Sequence, residues 1–319
     1  MVGFYRRNVI GVALFLVCRK QHHIISKLTP KIIEIVFKSL LLGKSPGNSC
    51  NKAYRRIGIQ TTQRYWRNVC FSMAKKFKDY YDADCAALLA GMITQEWPWF
   101  ESQEFIATIE NGLHDKEFLQ RQDLFVDAFE QFLPWSYKET TALFHDILGP
   151  ELKTAEGMFT HGWWLWPVGR YVERHGIVDF KASVAFIREL TKRFTGEFAM
   201  RPLIKNYPEK AMEVIKQWST DDNVHVRRLA SECMRIRLPW ARKSSAALSD
   251  FSSYKQVLTN LKSDPEKFVQ KSVGNNLNDL MKEDPARARE IISEWERDNP
   301  SSETLWIIKH GLRSERKTP

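Results

Sequence analysis

The first 80 residues of this 319-residue chain almost lack acidic side chains, with 2 acidic groups against 16 basic ones and a net charge of +14. Residues 81–200 carry a net −9 and residues 201–319 a net +5, which gives +10 overall. Basic ends around an acidic middle are typical of proteins that meet a polyanion, either nucleic acid or an anionic membrane. The charge alone does not separate these two partners.

Cysteine is scarce, and the motifs of cofactor sites are missing. The five cysteines are scattered, with no CxxC pair and no zinc-ligand spacing to a histidine, so we expect free thiols in a reducing compartment. No HExxH, P-loop or GxGxxG motif occurs. The sequence therefore predicts no metal and no other cofactor.

The apolar run Val9–Val17 has nine residues, too few to span a bilayer. Val17–Arg19 offers no small-residue cleavage site for a signal peptide. A transit peptide stays open, because the region contains arginine and no acid before Glu34. We expect residues 1–24 to be a disordered or targeting extension, no membrane association, and a cytoplasmic (nucleoid-associated) or nuclear location with organelle targeting still open.

Alternating patterns that predict strands are also absent, whereas helical spacing recurs, for example over residues 105–113. Capping residues before a proline predict helix starts at Thr29–Pro30, Asp264–Pro265 and Asp284–Pro285. The basic, Gly/Ser/Asn-rich segment 44–61 predicts a loop. The fold class is all-α.

An internal repeat indicates the architecture. Residues 203–218 (LIKNYPEKAMEVIKQW) and 280–295 (LMKEDPARAREIISEW) match at 7 of 16 positions with an offset of 77 residues, and a fainter echo has an offset of 43. Helical units of about 35–45 residues are typical of HEAT-like solenoids, in which helix pairs stack. We predict a HEAT-like helical-repeat solenoid, a curved superhelix of antiparallel helix pairs, over residues 25–312, with a tail at 313–319 and a monomeric state.

The stretch 223–240, NVHVRRLASECMRIRLPW, is the most unusual in the chain. As one helix it would carry an apolar stripe (Leu229, Cys233, Ile236) and a polar one (Arg228, Ser231, Glu232, Arg235). The simplest interpretation is a surface ion pair between Arg228 and Glu232 at i,i+4.

Repeat register brings two further acids towards Glu232. Asp279 follows the position that the 43-residue echo aligns with Glu232, and Glu197 begins a predicted helix with Arg201 at i+4. Each acid could instead be a surface residue; Glu197 could offset a helix dipole, and Asn275–Asn276 could form a structural ladder. Together the three acids favour a site, but their pattern does not name a reaction.

Tryptophan side chains are the second group of candidate site residues. Residues 161–167 (HGWWLWP) contain Trp166, and Trp240 follows the central stretch. Most of the eleven tryptophans are expected in the core. An exposed indole beside carboxylates would suit a flat cationic ligand through cation–π attraction.

Three segments resemble a known family: 194–202 (FTGEFAMRP), 225–240 (HVRRLASECMRIRLPW) and 269–279 (VQKSVGNNLND). They closely resemble the AlkC branch of the AlkC/AlkD-like DNA alkylation repair glycosylases. The likeness covers roughly residues 25–312.

The resemblance implies a HEAT-like solenoid that excises N-alkylated bases from double-stranded DNA without cofactor or metal. Typical substrates are 3-methyladenine and, for AlkC-type members, 3-methylcytosine, with 7-alkylpurines also open. The family's acids fall on Glu197, Glu232 and Asp279 and its aromatic on Trp240, with Trp166 as a second candidate for stacking on the base. Basic residues around the groove would bind DNA phosphates: Arg201, Arg228, Arg235, Arg237 and Lys271.

Two departures from the family qualify these expectations. Ile236 replaces a usual proline, and the immunoglobulin-like domain that follows in some relatives is not expected here. The basic N-terminal 80 residues are candidates to supply the DNA contacts that this additional domain would make. The alternative function is a catalytically inactive HEAT-repeat scaffold that binds DNA structures or a protein partner.

Overall fold

The computed structural model describes residues 75–156 and 158–317. The predicted extension 1–24, the helix start at Thr29–Pro30, the loop 44–61, and Cys18, Cys50 and Cys70 lie outside these residues. Within them the chain forms helices and no strand, which confirms the all-α prediction.

Fourteen α-helices follow one another in the described residues, with short 3-10 turns at Phe77–Tyr80, Trp163–Leu165, Gly176–Val178 and Leu312–Lys317. Their bounds are α1 Ala83–Glu96, α2 Ser102–Gly112, α3 Phe118–Phe132, α4 Tyr137–Asp146, α5 Trp166–His175, α6 Phe180–Thr191, α7 Glu197–Asn206, α8 Pro208–Trp218, α9 Val224–Glu232, α10 Ala246–Ser249, α11 Phe251–Asn260, α12 Lys267–Glu283, α13 Pro285–Arg297 and α14 Ser302–Gly311.

Alternate helices touch, as in a repeat protein built from two layers. In one layer α3 contacts α5 and α5 contacts α7, while α9 contacts α12 and α12 contacts α14; in the other, α4 contacts α6 and α8 contacts α11. This arrangement confirms the predicted HEAT-like helical repeat. The three predicted acids lie on α7, α9 and α12, all helices of the first layer.

Prolines begin the second helix in both copies of the internal repeat. Pro208 is the first residue of α8 and Pro285 the first of α13, where the Asp284 side chain accepts a hydrogen bond from the Arg287 amide at 3.1 Å. A proline fits the first helical position because that amide has no partner inside the helix. The predicted start at Asp284–Pro285 is confirmed, whereas α12 begins at Lys267, two residues after Pro265.

The central stretch is not one helix. The side chain of Asn223 caps α9 by accepting from the amides of His225 and Val226, but α9 ends at Glu232, so the prediction that Ile236 lies on its apolar stripe is wrong. Residues 233–245 form a loop, here called the Trp240 loop, before α10. The described cysteines, Cys85 and Cys233, are buried and form no disulfide within the described residues.

Candidate active site

A chain of alternating charges joins α7, α9 and α12. Arg228 lies 3.2 Å from Glu197 Oε2 and 3.3 Å from Glu232 Oε1, and Arg235 lies 3.0 Å from Glu232 Oε1 and 3.1 Å from Asp279 Oδ2. We call these five residues the acid cluster. The structure thus brings together the three acids that repeat register placed in one groove.

The acid cluster is almost closed to solvent. Glu197, Glu232 and Asp279 are only 4%, 5% and 4% exposed. Buried carboxylates this close cannot all ionise without compensation, because burial and mutual repulsion both favour the protonated form. Three carboxylates and two guanidinium groups, when ionised, leave a net charge of −1.

The three acids differ in their surroundings. Burial raises the pKa of Glu197, and the neighbouring charge of Glu232 adds to this against the attraction of Arg228. Burial also disfavours the charged form of Glu232, but the charges of Arg228 and Arg235 and a hydrogen bond from Ser272 outweigh it and lower the pKa. Glu232 is therefore held ionised, whereas the surroundings of Glu197 favour its protonated form.

Hydroxyl and amide groups complete the shell of Glu232 and Asp279. Ser272 Oγ donates to Glu232 Oε2 at 2.5 Å, and the Arg237 amide donates to Asp279 Oδ2 at 3.2 Å. Both oxygens of Glu232 are thus engaged, whereas the hydrogen bonds of Asp279 use Oδ2 alone. Asp279 Oδ1 is thus one carboxylate oxygen that can accept a hydrogen bond from a ligand or a water.

Sequence reasoning assigned no role to Ser272. Its Oγ also lies 2.6 Å from Ser231 Oγ, and Asn276 Nδ2 donates to the carbonyls of Ser231 and Ser272. Tyr254 in turn donates to Asn276 Oδ1. The repeat echo that placed Glu232 beside α12 is the signal that could have found Ser272.

Trp240 carries the exposed ring of an aromatic platform, which we define as Phe77, Phe118, Trp166 and Trp240. Its indole is parallel to Phe77 at 5.8 Å between centroids and lies 5.3 Å from Phe118 and 5.6 Å from Trp166. Trp240 is 57% exposed and has φ = 62°, in the left-handed region. An exposed indole held this way can stack on a flat ligand.

Trp166 is 3% exposed, which contradicts the predicted stacking of its indole on a base. It contacts Trp240 on one side and Phe198, the residue after Glu197, at 5.2 Å on another. Trp166 therefore supports the exposed ring and connects the platform to α7. Phe77 and Phe118 gave no signal in the sequence, since both lie more than a hundred residues from Trp240.

The predicted phosphate-binding residues fall into two groups. The side chains of Arg228 and Arg235 are 12% and 10% exposed and bind the acids, which contradicts a role as free phosphate contacts. Arg237 is half exposed and pairs with Glu283, and Lys271 is exposed. The last two remain predicted phosphate contacts.

Arg201 binds backbone rather than any acid. Its guanidinium donates to the carbonyls of Cys233, Arg235 and Arg242, all in the Trp240 loop. This also contradicts its predicted phosphate contact, because the donors face protein carbonyls. Arg201 ties the Trp240 loop to α7.

Neither a metal site nor a membrane span emerges from the part of the chain that the structure describes. No group of three or more His, Cys, Asp or Glu side chains there has the geometry to hold a metal ion. No helix of the same part is long and apolar enough to cross a bilayer.

These features define a helical-repeat protein with a buried cluster of three carboxylates beside an exposed indole. Residues 189–313, which contain all three acids and Trp240, match the family model for the DNA alkylation repair enzyme. Residues 189–313 of this chain therefore form a region of the DNA alkylation repair enzyme family.

Two relatives extend the comparison. The uncharacterized protein YhaZ of Bacillus subtilis (strain 168) is 33% identical over 243 residues, covering 74% of this chain and 64% of that protein. The structure of Pseudomonas fluorescens alkylpurine DNA glycosylase AlkC, bound to DNA containing an abasic site analog, is similar with a TM-score of 0.68 at 30% identity, covering 76% of this chain and 66% of that one. This chain thus spans slightly less than two thirds of the length of either.

Proposed function

We propose that this protein is a DNA glycosylase of the AlkC branch that hydrolyses the N-glycosidic bond of cationic N-alkylated bases in duplex DNA. 3-Methyladenine is the first substrate to test, followed by 3-methylcytosine and 7-alkylpurines. The observation that carries the proposal is the acid cluster beside the exposed indole of Trp240. The repair domain is proposed to extend over residues 25–312.

The geometry suits this chemistry. A base alkylated on a ring nitrogen carries a positive charge, and it leaves as a neutral molecule when the C1′–N bond breaks. The electron pair of that bond goes to the base, and the sugar becomes oxocarbenium-like. Preorganised carboxylates stabilise such a developing cation, and the carboxylate of Glu232, which its arginines hold ionised, has the required sign of charge.

The residues divide the work. Glu232, held ionised by Arg228 and Arg235, supplies the fixed negative charge, and Asp279 Oδ1 accepts a hydrogen bond from the attacking water. The water oxygen bonds to C1′ and its proton passes to a carboxylate or to solvent. The indole of Trp240 stacks on the cationic base.

Base release from methylated duplex DNA tests the proposal. We expect the wild-type protein to liberate free 3-methyladenine, detected by chromatography, and Asp279→Asn and Glu232→Gln to lose activity by about 100-fold or more. Glu290→Gln is the matched control, because Glu290 is an exposed acid that pairs with Lys255.

Thermal melting of each variant separates lost chemistry from lost folding. Full activity of folded Asp279→Asn and Glu232→Gln would show that these two carboxylates are not catalytic. Tight DNA binding by the wild type without release of any base would favour the scaffold function instead.

A further inference from the structure

Three of the five arginine and lysine side chains predicted to bind phosphate instead bind the acids or backbone carbonyls. Other basic side chains near the site are therefore candidates for contacts with DNA phosphates. On α12, Lys267 and Lys271 are exposed, and Arg313 follows α14. No salt bridge joins these three side chains to a carboxylate of the described residues, in contrast to Arg228 and Arg235. We call Lys267, Lys271 and Arg313 the basic cluster.

Close packing of α12 against α14 fixes the position of Arg313. A Cβ atom on Gly274 would lie 2.8 Å from His310 Cδ2, and one on Gly311 would lie 2.7 Å from Leu277 Cβ, so only glycine allows this approach. Arg313 then donates to the His310 carbonyl at 2.7 Å and to Asn275 Oδ1 at 3.0 Å. Every acceptor of this guanidinium among the described residues is a neutral group.

Lys267 is oriented by an aromatic ring. Its Nζ lies 3.4 Å from the centroid of Trp306, whose indole is parallel to the His310 ring at 4.9 Å. The same ammonium donates to Gln270 Oε1 at 2.8 Å. Cation–π contact holds the ammonium without neutralising its charge.

The pKa of His310 is sensitive to the positive charges of the basic cluster. Burial lowers its pKa to about 4, and the charges of Arg313, Lys271 and Lys267 contribute in that order. The three cations therefore converge on one imidazole, which is neutral near pH 7. Cations grouped at one place, none of them in a salt bridge with a carboxylate of the described residues, favour the binding of an anion.

The basic cluster adjoins the acid cluster. Asp279 and Arg235 both lie close enough to act on the charge of Arg313. Lys271 immediately precedes Ser272, the residue that binds Glu232. An anion bound to the basic cluster would therefore lie near the carboxylates of Asp279 and Glu232.

We propose that Lys267, Lys271 and Arg313 bind a backbone phosphate of the DNA strand beside the nucleotide whose sugar faces Asp279. The proposal rests on the proposed function, which supplies DNA as the polyanion. Only Lys271 is a candidate from the sequence; Lys267 and Arg313 are assigned by their contacts. The cluster positions the strand and takes no part in breaking the bond.

Salt-dependent binding of the full chain tests the proposal. The probe is a duplex with a tetrahydrofuran abasic-site analogue, and the variants are Lys271→Gln, Lys267→Gln and Arg313→Gln. Each lost phosphate contact is expected to reduce the slope of log K against log salt by about 1 and to weaken binding on the order of tenfold at about 0.1 M salt. Lys271→Arg should retain most of the affinity.

Lys262→Gln is the control, since Lys262 pairs with Asp298 and should leave the slope unchanged. Lys271 is exposed, so its variant should fold even if Arg313→Gln loosens the contact between α12 and α14. Unchanged slope and affinity in folded Lys271→Gln and Arg313→Gln would overturn the proposal. Preferential binding of wild type to anionic vesicles over the duplex would overturn it too.

The binding assay requires no base release, so the two proposals fail separately. Loss of slope in the variants of a protein that releases no base would keep the basic cluster and remove the glycosylase. Base release together with an unchanged salt slope in the variants would support the glycosylase and overturn the phosphate-binding role of the basic cluster.

Discussion

Arg235 binds two acids at once. Its guanidinium bonds to Glu232 and Asp279 and is itself almost buried. Removing one partner of a buried charge network leaves the others uncompensated, which costs about 3–5 kcal/mol. The sequence predicted a DNA contact for this arginine, but its side chain is buried and helps to keep the carboxylate of Glu232 charged.

We expect Arg235→Gln to raise the pKa of Glu232, because Arg235 is one of the charges that hold that pKa below its ordinary value. Base release that needs ionised Glu232 would then be lost as pH falls through this higher pKa. The pH–rate profile should show its acid limb displaced to higher pH, with residual activity at alkaline pH. A profile of unchanged shape, merely scaled down, would contradict this role.

Arg228→Gln, which also removes a charge from Glu232, is the comparison for that profile. It leaves Asp279 paired with Arg235. The displacement should therefore appear in both variants, while loss of order at Asp279 should be confined to Arg235→Gln.

At the scale of elements, the Trp240 loop is held from two sides. Arg201 on α7 binds three of its carbonyls, and Glu283 at the end of α12 binds Arg237 and Lys243. The Ser244 amide also donates to the Ile236 carbonyl within the loop. The indole of Trp240 is therefore placed by the two helices that also carry Glu197 and Asp279.

Arg201→Gln distinguishes this anchoring role from a phosphate contact. Release of the loop should raise KM for damaged DNA more than it lowers kcat, because the stacking ring is no longer preorganised. The slope of DNA affinity against salt should stay as in wild type. A slope reduced by about 1 would restore the phosphate role that the sequence predicted for Arg201.

The same loop shows where sequence reasoning stops. Helix starts follow from local capping, so Asn223 and Asp284 are readable from the sequence. The end of α9 depends on groups that are distant in the sequence. Arg201 donates to the carbonyl of Cys233, 32 residues further along the chain, and Asp279 accepts from the Arg237 amide. Such tertiary hydrogen bonds override the helical periodicity of residues 223–240.

At the scale of the whole molecule, the acids were predictable for a different reason. Repeat units place equivalent positions of successive helices on one side, so register alone brought Glu232 and Asp279 together. The arginines between them were visible in the sequence, but their burial was not, because it depends on how closely α7, α9 and α12 stack. The assignment of Arg228 and Arg235 changed for that reason.

Charge at the same scale gives a further prediction for the N-terminal residues, of which 1–74 lie outside the described part. Residues 1–80 carry +14, and we predict that they add a second, non-specific attraction for DNA. Deletion of residues 1–60 should lower both the affinity for undamaged duplex and its salt dependence. If neither changes in a binding titration, the N-terminal charge has another purpose.

The left-handed backbone of Trp240 has a consequence for the balance between folding and activity. A non-glycine residue at φ = 62° costs about 1 kcal/mol that glycine would avoid. Trp240→Gly should therefore unfold at a higher denaturant concentration than Trp240→Ala, although both lose the indole and both should release little base. The contacts of the indole with Phe77, Phe118 and Trp166 are the interactions that offset this backbone cost in the wild-type protein.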